Sequence, residues 1–258
     1  MRILMVGDVV GRGGRRTLSR LLPGLRRELE IDFVTVQGEN IAAGFGLTLE
    51  TANDLLEGGA DVITTGNHVW DRREFLEYLD DPKVPVVRPM NYPPAAPGRG
   101  SLDLGPVAVV NLIGRVFVGE FDSPFSVVDE LLASGWGAGK PIIVDFHAEA
   151  TSEKMALAWH LDGRAAAVVG THTHVATADN RVLPGGTAYV SDLGMVGAVE
   201  SIIGFEVEDS LSRFLTNMPR RLRVVDKGPM RFNSVLIDVD DATRRARSIT
   251  RVDREWTI

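Results

Sequence analysis

The chain has 258 residues, 44% of them hydrophobic. That suits one large domain or two small ones and supplies enough apolar side chains for a sizeable core. A formal net charge of -7 excludes a general phosphate-backbone binder, so no stable nucleic-acid duplex partner is expected. The absence of cysteine excludes disulfides, a thiolate metal site and a cysteine nucleophile, which leaves oxygen and imidazole as the only donors for a metal.

In chain order, "MRILMVGDVV" opens with an apolar stretch far shorter than the roughly 20 residues of a membrane span, and it runs into Asp8. It reads as the first strand of a cytoplasmic protein. A helix-period segment over 15–29 follows, then the strand "DFVTVQ", a helix over 48–58 and the strand "DVITTG". The helix has Thr48 as N-cap, Leu49, Ala52 and Leu55 or Leu56 at helical spacing, and Gly58-Gly59 as its stop. Continuous Val/Ile/Leu runs alternating with helices predict parallel β-α units buried on both faces.

Residues 82–106 are dense in Pro and Gly, which predicts an ordered loop with one short strand. Apolar strands resume at 107–114, 141–146, 165–170 and 187–192, and "TSEKMALAWHL" and "EDSLSRFL" have helical texture. Residues 231–253 alternate on both sides of a turn, as in a terminal antiparallel hairpin. With no internal repeat, the expectation is a single α/β domain over 1–258 with mixed sheets.

The reactive residues fall at strand ends. "RILMVG" is followed by Asp8, "DFVTVQG" by Glu39 and Asn40, "DVITTG" by Asn67 and His68, "PIIVDF" by His147, and "AAAVVGT" by His172 and His174. In open α/β sheets, ligands collect at the carboxyl ends of the strands, where neighbouring loops converge. Carboxylate, amide oxygen and neutral imidazole together suit Mn, Fe, Zn or Ni better than Mg or Ca. Asp8, Glu39, Asn40, Asn67, His147, His172 and His174 are too many for one tetrahedral zinc and suit two ions sharing a carboxylate. Duller readings stand beside this one. Asp8 also suits the N-cap of the next helix, and Asn40 and Asn67 suit turns with left-handed backbone. A lone histidine at a strand end is most often a hydrogen-bonded loop residue. "GDVVGRGG" has the wrong spacing for a dinucleotide fingerprint and would set Asp8 against a pyrophosphate. His160, on a helix without polar companions in sequence, reads as structural or surface-lying.

These motifs, "GDVVG", "QGENIAAG", "TGNHVWD", "FHAEATSEK" and "GTHTHVATAD", resemble in their order those of the calcineurin-like metallophosphoesterase superfamily, over residues 7 to about 195. Two departures stand out: Val10 where most members carry His, and Glu39-Asn40 in place of the usual bridging Asp. Both match a bacterial branch that looks like the 2',3'-cyclic nucleotide 2'-phosphodiesterases. The resemblance implies a four-layer α/β/β/α sandwich and two transition-metal ions per chain, iron first, with Mn, Zn or Ni as other occupants. It implies Asp8, Glu39, Asn40 and His174 around one ion and Glu39, Asn67, His147 and His172 around the other, with Glu39 bridging. His68, beside a ligand but not on the metal, is implied as the acid that protonates the leaving oxygen after hydroxide attack. An imidazole can hold and surrender a proton at neutral pH. Asp71 is its candidate orienting partner or, equally, the N-cap of "DRREFLEYL".

The expected substrate is therefore a small cyclic nucleotide, 2',3'-cyclic or 3',5'-cyclic AMP. A phosphomonoesterase or nucleotidase, a non-catalytic metal-binding regulator and a metal-free nucleotide-binding module are the alternatives. Tyr92 and Arg99 in the 89–101 loop, and the segment 193–205, are candidate linings of the mouth. The apolar character of 193–205 also suggests a self-association surface and a homo-oligomer.

Overall fold

Each apolar run of the sequence is a strand, and the strands sort into sheets by which faces must be covered. A computed structural model describes Met1–Ile258. The first half runs β1 (Arg2–Val6), β2 (Asp8–Val9), α1 (Gly11–Glu28), β3 (Phe33–Gln37), α2 (Leu49–Glu57), β4 (Val62–Thr64), β5 (Val86–Val87), β6 (Ser101–Asp103) and β7 (Ala108–Ile113). There follow α3 (Pro124–Ala133), β8 (Ile142–His147), α4 (Thr151–His160), β9 (Ala167–Thr171), β10 (Arg181–Val182), β11 (Ala188–Val190), β12 (Met195–Ala198) and α5 (Val207–Thr216). The chain ends with β13 (Pro229–Phe232), β14 (Ser234–Val239), β15 (Ala246–Arg251) and β16 (Arg254–Thr257).

One six-stranded sheet has the order β15-β14-β1-β3-β4-β5, and the other β10-β11-β9-β8-β7-β6. In the first, β1, β3, β4 and β5 are parallel and β14 returns antiparallel beside β1. In the second, β7, β8, β9 and β11 are parallel, with antiparallel β6 and β10 at the edges.

The two sheets face one another across a core that includes Ile3, Met5 and Val62 from the first and Val109, Ile143 and Val169 from the second. A second core, with Leu18, Leu22 and Leu55, fills the space between the first sheet and helices α1 and α2. A third, with Val128, Phe146 and Leu157, lies between the second sheet and α3 and α4. These interfaces define the α/β/β/α sandwich. A four-stranded sheet, β16-β13-β12-β2, flanks it and pairs Asp8 in parallel register with Met195.

Several local expectations hold: Thr48 caps α2 in a capping box with Thr51, and β14 and β15 form the terminal hairpin. Others change. The helix expected over 15–29 begins at Gly11, because α1 packs so tightly on β12 that a side chain at Gly14 would strike the Val196 carbonyl. Glycine there serves close approach rather than a turn. Asp8 does not cap this helix: Val10 occupies the N-cap, and Asp226 Oδ1 accepts the Gly13 N–H at 2.9 Å from across the chain. The expected apolar patch at 193–205 is mostly interior, with Leu193, Met195, Val196 and Ala198 buried in or beside β12. Within the segment Ile203 is exposed, and further exposed apolar side chains follow at Val207, Leu211, Phe214 and Leu215 of α5 and at Met218. No helix is long and apolar enough to cross a membrane.

Leu22 is fully buried between α1 and the first sheet. Leu22→Ala should lower the unfolding free energy by about 2–5 kcal/mol in urea titration, through lost transfer energy and a residual cavity. A loss below about 1 kcal/mol would contradict this packing.

Candidate metal centre

Parallel strands deliver their carboxyl ends to one edge, and both six-stranded sheets present that edge to the same cleft. The structure brings Glu39, Asn67, His147 and His172 together there, with Asp8 and His174 beside His172 and Asn40 next to Glu39 in the chain. Glu39 Oε1 lies 3.0 Å from His147 Nε2, which is 3.2 Å from Asn67 Oδ1 and 3.0 Å from His172 Nδ1. Donor atoms of Glu39, His147 and His172 all fall within 4.8 Å of one another. On the other side, Asp8 Oδ1 is 3.7 Å from His174 Nε2, and Asp8 Oδ2 accepts the His172 backbone N–H at 3.3 Å.

The groups behind these donors leave the metal-binding atoms free. Asn40 donates from Nδ2 to the Gly44 carbonyl at 3.0 Å, and its buried Oδ1 has no hydrogen-bond partner. Asp8 Oδ1 is likewise buried without one. Buried polar atoms are normally paired, so two orphaned oxygens beside clustered imidazoles fit a bound cation. His174 Nδ1–H donates to the Ile203 carbonyl at 2.8 Å, which leaves Nε2 for coordination. His172 turns Nε2 toward Glu149 Oε2 at 3.2 Å and Nδ1 toward the cluster. The Thr171 hydroxyl donates to Asp145 at 2.7 Å, and His147 Nδ1 lies 3.0 Å from both that hydroxyl and the Gln37 Nε2 amide. Gln37 Oε1 holds the Glu39 N–H at 2.8 Å. Neither Asn40 nor Asn67 has a positive φ, so neither is a left-handed turn residue.

The loop after β9 is strained. His172 and His174 have φ of 102° and 63°, a conformation that costs a non-glycine residue on the order of 1–3 kcal/mol. Asp192 holds the loop in place by accepting the Thr173 N–H at 3.1 Å and the Gly194 N–H at 2.8 Å, while Lys154 Nζ neutralises it at 2.8 Å. Both Lys154 and Asp192 are buried. At Gly66, before Asn67, any side chain would overlap the His147 ring and the Glu39 carboxylate.

Burial raises the Asp8 carboxyl well above the usual carboxylate range, with Asp192 and Glu39 adding to the rise against the pull of His147. Burial would also raise Glu39, but the His147 imidazole outweighs it and draws Glu39 down to about 2. For His147, burial opposes the charge, yet Glu39 and Asp8 push it up to about 9. Burial, reinforced by the charge on His147, drops His172 to about 3. Without a cation the cage keeps a proton on His147, which a metal must displace.

His68 stands at the rim. Its backbone N–H donates to Glu39 Oε2 at 3.0 Å, and Nδ1 lies 2.9 Å from Asp71 Oδ2. Asp71 therefore orients His68 rather than capping a helix; Arg72 takes the N-cap position of the 3₁₀ turn Arg73–Tyr78. Phe45 meets His68 edge-on at 5.0 Å. Two candidate mouth residues have other duties: Arg99 Nη2 donates to the Asp81 and Val84 carbonyls, and Tyr92 packs between Trp70 and Phe121. His160 pairs with Asp129 on α3, away from the cluster. Among the supporting groups, Glu149 and Lys154 belong to "HAEATSEK" and are visible in the sequence as part of a motif. Gln37 and Thr171 likewise fall inside "QGENIAAG" and "GTHTHVATAD", whereas Asp145 and Asp192 carry no sequence signal that separates them from core polar residues.

Ligation by His147 would require its neutral form, and Glu39 and Asp8 hold its proton up to about pH 9, so metal affinity is expected to rise as pH goes from 7 toward 9. Chelator competition reads this. A pH-independent affinity would contradict it.

Residues 4–252 match the family described as YmdB-like protein. The chain is 48% identical over 257 residues to the 2',3'-cyclic-nucleotide 2'-phosphodiesterase of Bacillus subtilis (strain 168), covering 98% of this chain and 96% of that one. A hypothetical protein from Thermus thermophilus superposes with a TM-score of 0.92 at 44% identity, over 99% of both chains. A novel phosphatase from Mycoplasma pneumoniae also gives 0.92, at 33% identity over 99% of this chain and 93% of its own. With its strand-end motifs, four-layer sandwich and near full-length matches, the chain belongs to the YmdB-like family of metallophosphoesterases.

Proposed function

We propose that this protein is a dinuclear metal-dependent phosphodiesterase that opens 2',3'-cyclic nucleotides to 3'-phosphomonoesters, with 3',5'-cyclic AMP as a second substrate. The observation that carries the reading is an imidazole outside the donor cluster, His68, fixed beside Glu39 and backed by Asp71. A site that only stored metal would have no use for it. Kinship with the B. subtilis enzyme named for the same reaction supports the substrate class.

Asp8, Glu39, Asn40 and His174 would hold one ion, and Glu39, Asn67, His147 and His172 the other. Iron is the proposed occupant, and the same nitrogen and oxygen donors take Mn, Zn or Ni. When bound, such ions supply positive charge against phosphoryl oxygens and acidify water for attack. The protein's own part is positional. Glu39 would be shared by the two ions, its Oε1 facing His147 and its Oε2 held by the His68 N–H, and the Asp8 and Asn40 side-chain oxygens without partners would be free to join them. His68 delivers a proton to the departing 2'-oxygen while Asp71 accepts the hydrogen bond from Nδ1–H. Glu149 keeps His172 turned so that Nδ1 faces the cage.

The whole chain acts as one domain, in the cytoplasm, on a small phosphodiester and without a membrane partner. Exposed Phe214 and Leu215, 82% and 81% accessible, support self-association as a homo-oligomer.

His68→Ala should lower kcat on 2',3'-cyclic AMP by about 10²- to 10⁴-fold while metal content, measured by elemental analysis, stays unchanged. Unchanged turnover with metals intact would remove His68 from the reaction. Assayed on 2',3'-cyclic AMP, 3',5'-cyclic AMP and 5'-AMP with saturating Mn, the first should give the highest kcat/KM. Preference for 5'-AMP would instead identify a monoesterase.

A further inference from the structure

A second cavity lies directly beside the catalytic edge, and hydrolysis of a mononucleotide leaves it unused. It measures about 550 Å³ and is lined by Phe45 together with Arg72, Arg213, Arg220, Arg221 and Arg223. Five guanidinium groups converge here in a chain whose net charge is -7. Their neutralisation is incomplete. Arg220 and Arg223 share the buried Asp209 carboxylate at 2.8 and 2.7 Å, and Arg220 also meets Glu208 at 3.0 Å. Asp226, the carboxylate in the wall, accepts the Gly13 N–H. Arg72 spends its donors on the Ala42 and Phe45 carbonyls, which carry no charge. Arg213 and Arg221 are exposed and form neither an ion pair nor a side-chain hydrogen bond. The lining is ordered: Asp209 also accepts the Arg223 N–H at 3.2 Å, and the Arg223 carbonyl receives the Glu206 N–H at 2.8 Å.

Phe45 links the cavity wall to the reaction centre. Phe45 belongs to the loop that begins with Glu39 and Asn40; its ring touches His68 edge-on at 5.0 Å and stacks on Phe205 at 5.4 Å. An aromatic ring with arginines beyond it suits a base and the phosphates of a flexible single strand: the ring stacks a base of any identity, and guanidinium forks match phosphate oxygens. A 2',3'-cyclic phosphate occupies the 3' end of its ribose and leaves O5' free to carry the next phosphodiester. A mononucleotide has nothing to place among these arginines. An oligonucleotide does.

We propose that the Phe45–arginine cavity is a subsite for the 5'-side phosphates of a single-stranded oligonucleotide ending in a 2',3'-cyclic phosphate. This rests on the cyclic phosphodiesterase reading above and extends it from free nucleotides to chain ends. The reaction balances as before: water adds at phosphorus, the P–O2' bond breaks, O2' takes the proton, and a 3'-phosphomonoester remains on the strand. Engaging a few phosphates of a single strand is compatible with a chain too acidic to hold duplex.

The test compares kcat/KM for 2',3'-cyclic AMP with that for a tetra-adenylate bearing a 2',3'-cyclic phosphate, in the Mn-loaded wild type and in the double variant Arg213→Ala, Arg221→Ala. The wild type should favour the tetranucleotide about tenfold or more, with its KM rising as salt increases. In the double variant the ratio should collapse toward one and the salt dependence should weaken. In parallel, fluorescence anisotropy measures binding of a labelled tetra-adenylate 3'-phosphate, a readout independent of turnover, and the variant should bind it about tenfold more weakly. Equal kcat/KM for the two substrates in the wild type, or an advantage that survives in the double variant, overturns the subsite and leaves the cyclic phosphodiesterase reading standing. Hydrolysis of neither substrate overturns that reading, and the subsite then falls as well unless anisotropy shows arginine-dependent binding.

Discussion

Two carboxylates, Asp8 and Glu39, lie almost completely buried at the meeting point of the two main sheets, and the rest of the site is organised around what neutralises them. Taking an ion out of water costs several kcal/mol even after the protein relaxes, so such a pair persists only with positive charge beside it. Among the side chains at the cage, His147 is the one that answers this charge: it meets Glu39 directly and holds its proton far above the usual range for that reason. The remaining donors offer lone pairs rather than protons: Asn40 Oδ1, Asn67 Oδ1, His172 Nδ1 and His174 Nε2. Inward-facing lone pairs around two buried carboxyl groups make a site suited to cations, whose charge would favour the ionised form of Asp8.

Fold and site are coupled through strain. A sandwich of parallel sheets places loop after loop at one edge, but proximity alone would not aim the side chains. The His172–His174 loop adopts a left-handed backbone at both histidines, and it is kept there by the buried Lys154–Asp192 pair, whose carboxylate also accepts the Thr173 and Gly194 N–H groups. The helix that supplies Lys154 covers the outer face of the second sheet, so core packing and loop geometry share one residue. On the first sheet, Gly66 allows the Asn67–His68 turn to lie against His147 without interposed atoms.

Much of this is legible in the residues. Val/Ile/Leu runs with helices between them can bury both faces only as parallel sheets, and a polar residue following each run has to converge on the same edge. Hence Asp8, Glu39, Asn67, His147 and His172 can be grouped without any coordinates. Less can be read where tertiary contact overrides local chemistry. The helix expected from residue 15 opens at Gly11, because glycine at 14 lets α1 lie directly against β12. The 193–205 segment has the composition of a surface patch, but its first half forms a strand that pairs with β2 and is buried. Asp145, Thr171 and Asp192 act through partners far away in sequence, a separation that no periodicity encodes. The arginines at 220–223 lie in a stretch without periodic pattern, and it is Asp209 that gathers two of them.

The account depends on cations filling the cage at the strand ends. Anomalous diffraction from crystals grown with manganese tests this most directly. Two peaks are predicted, both in contact with Glu39, one also touching Asp8, Asn40 and His174 and the other Asn67, His147 and His172. A single peak, or none within reach of Glu39 in protein saturated with metal, would contradict it.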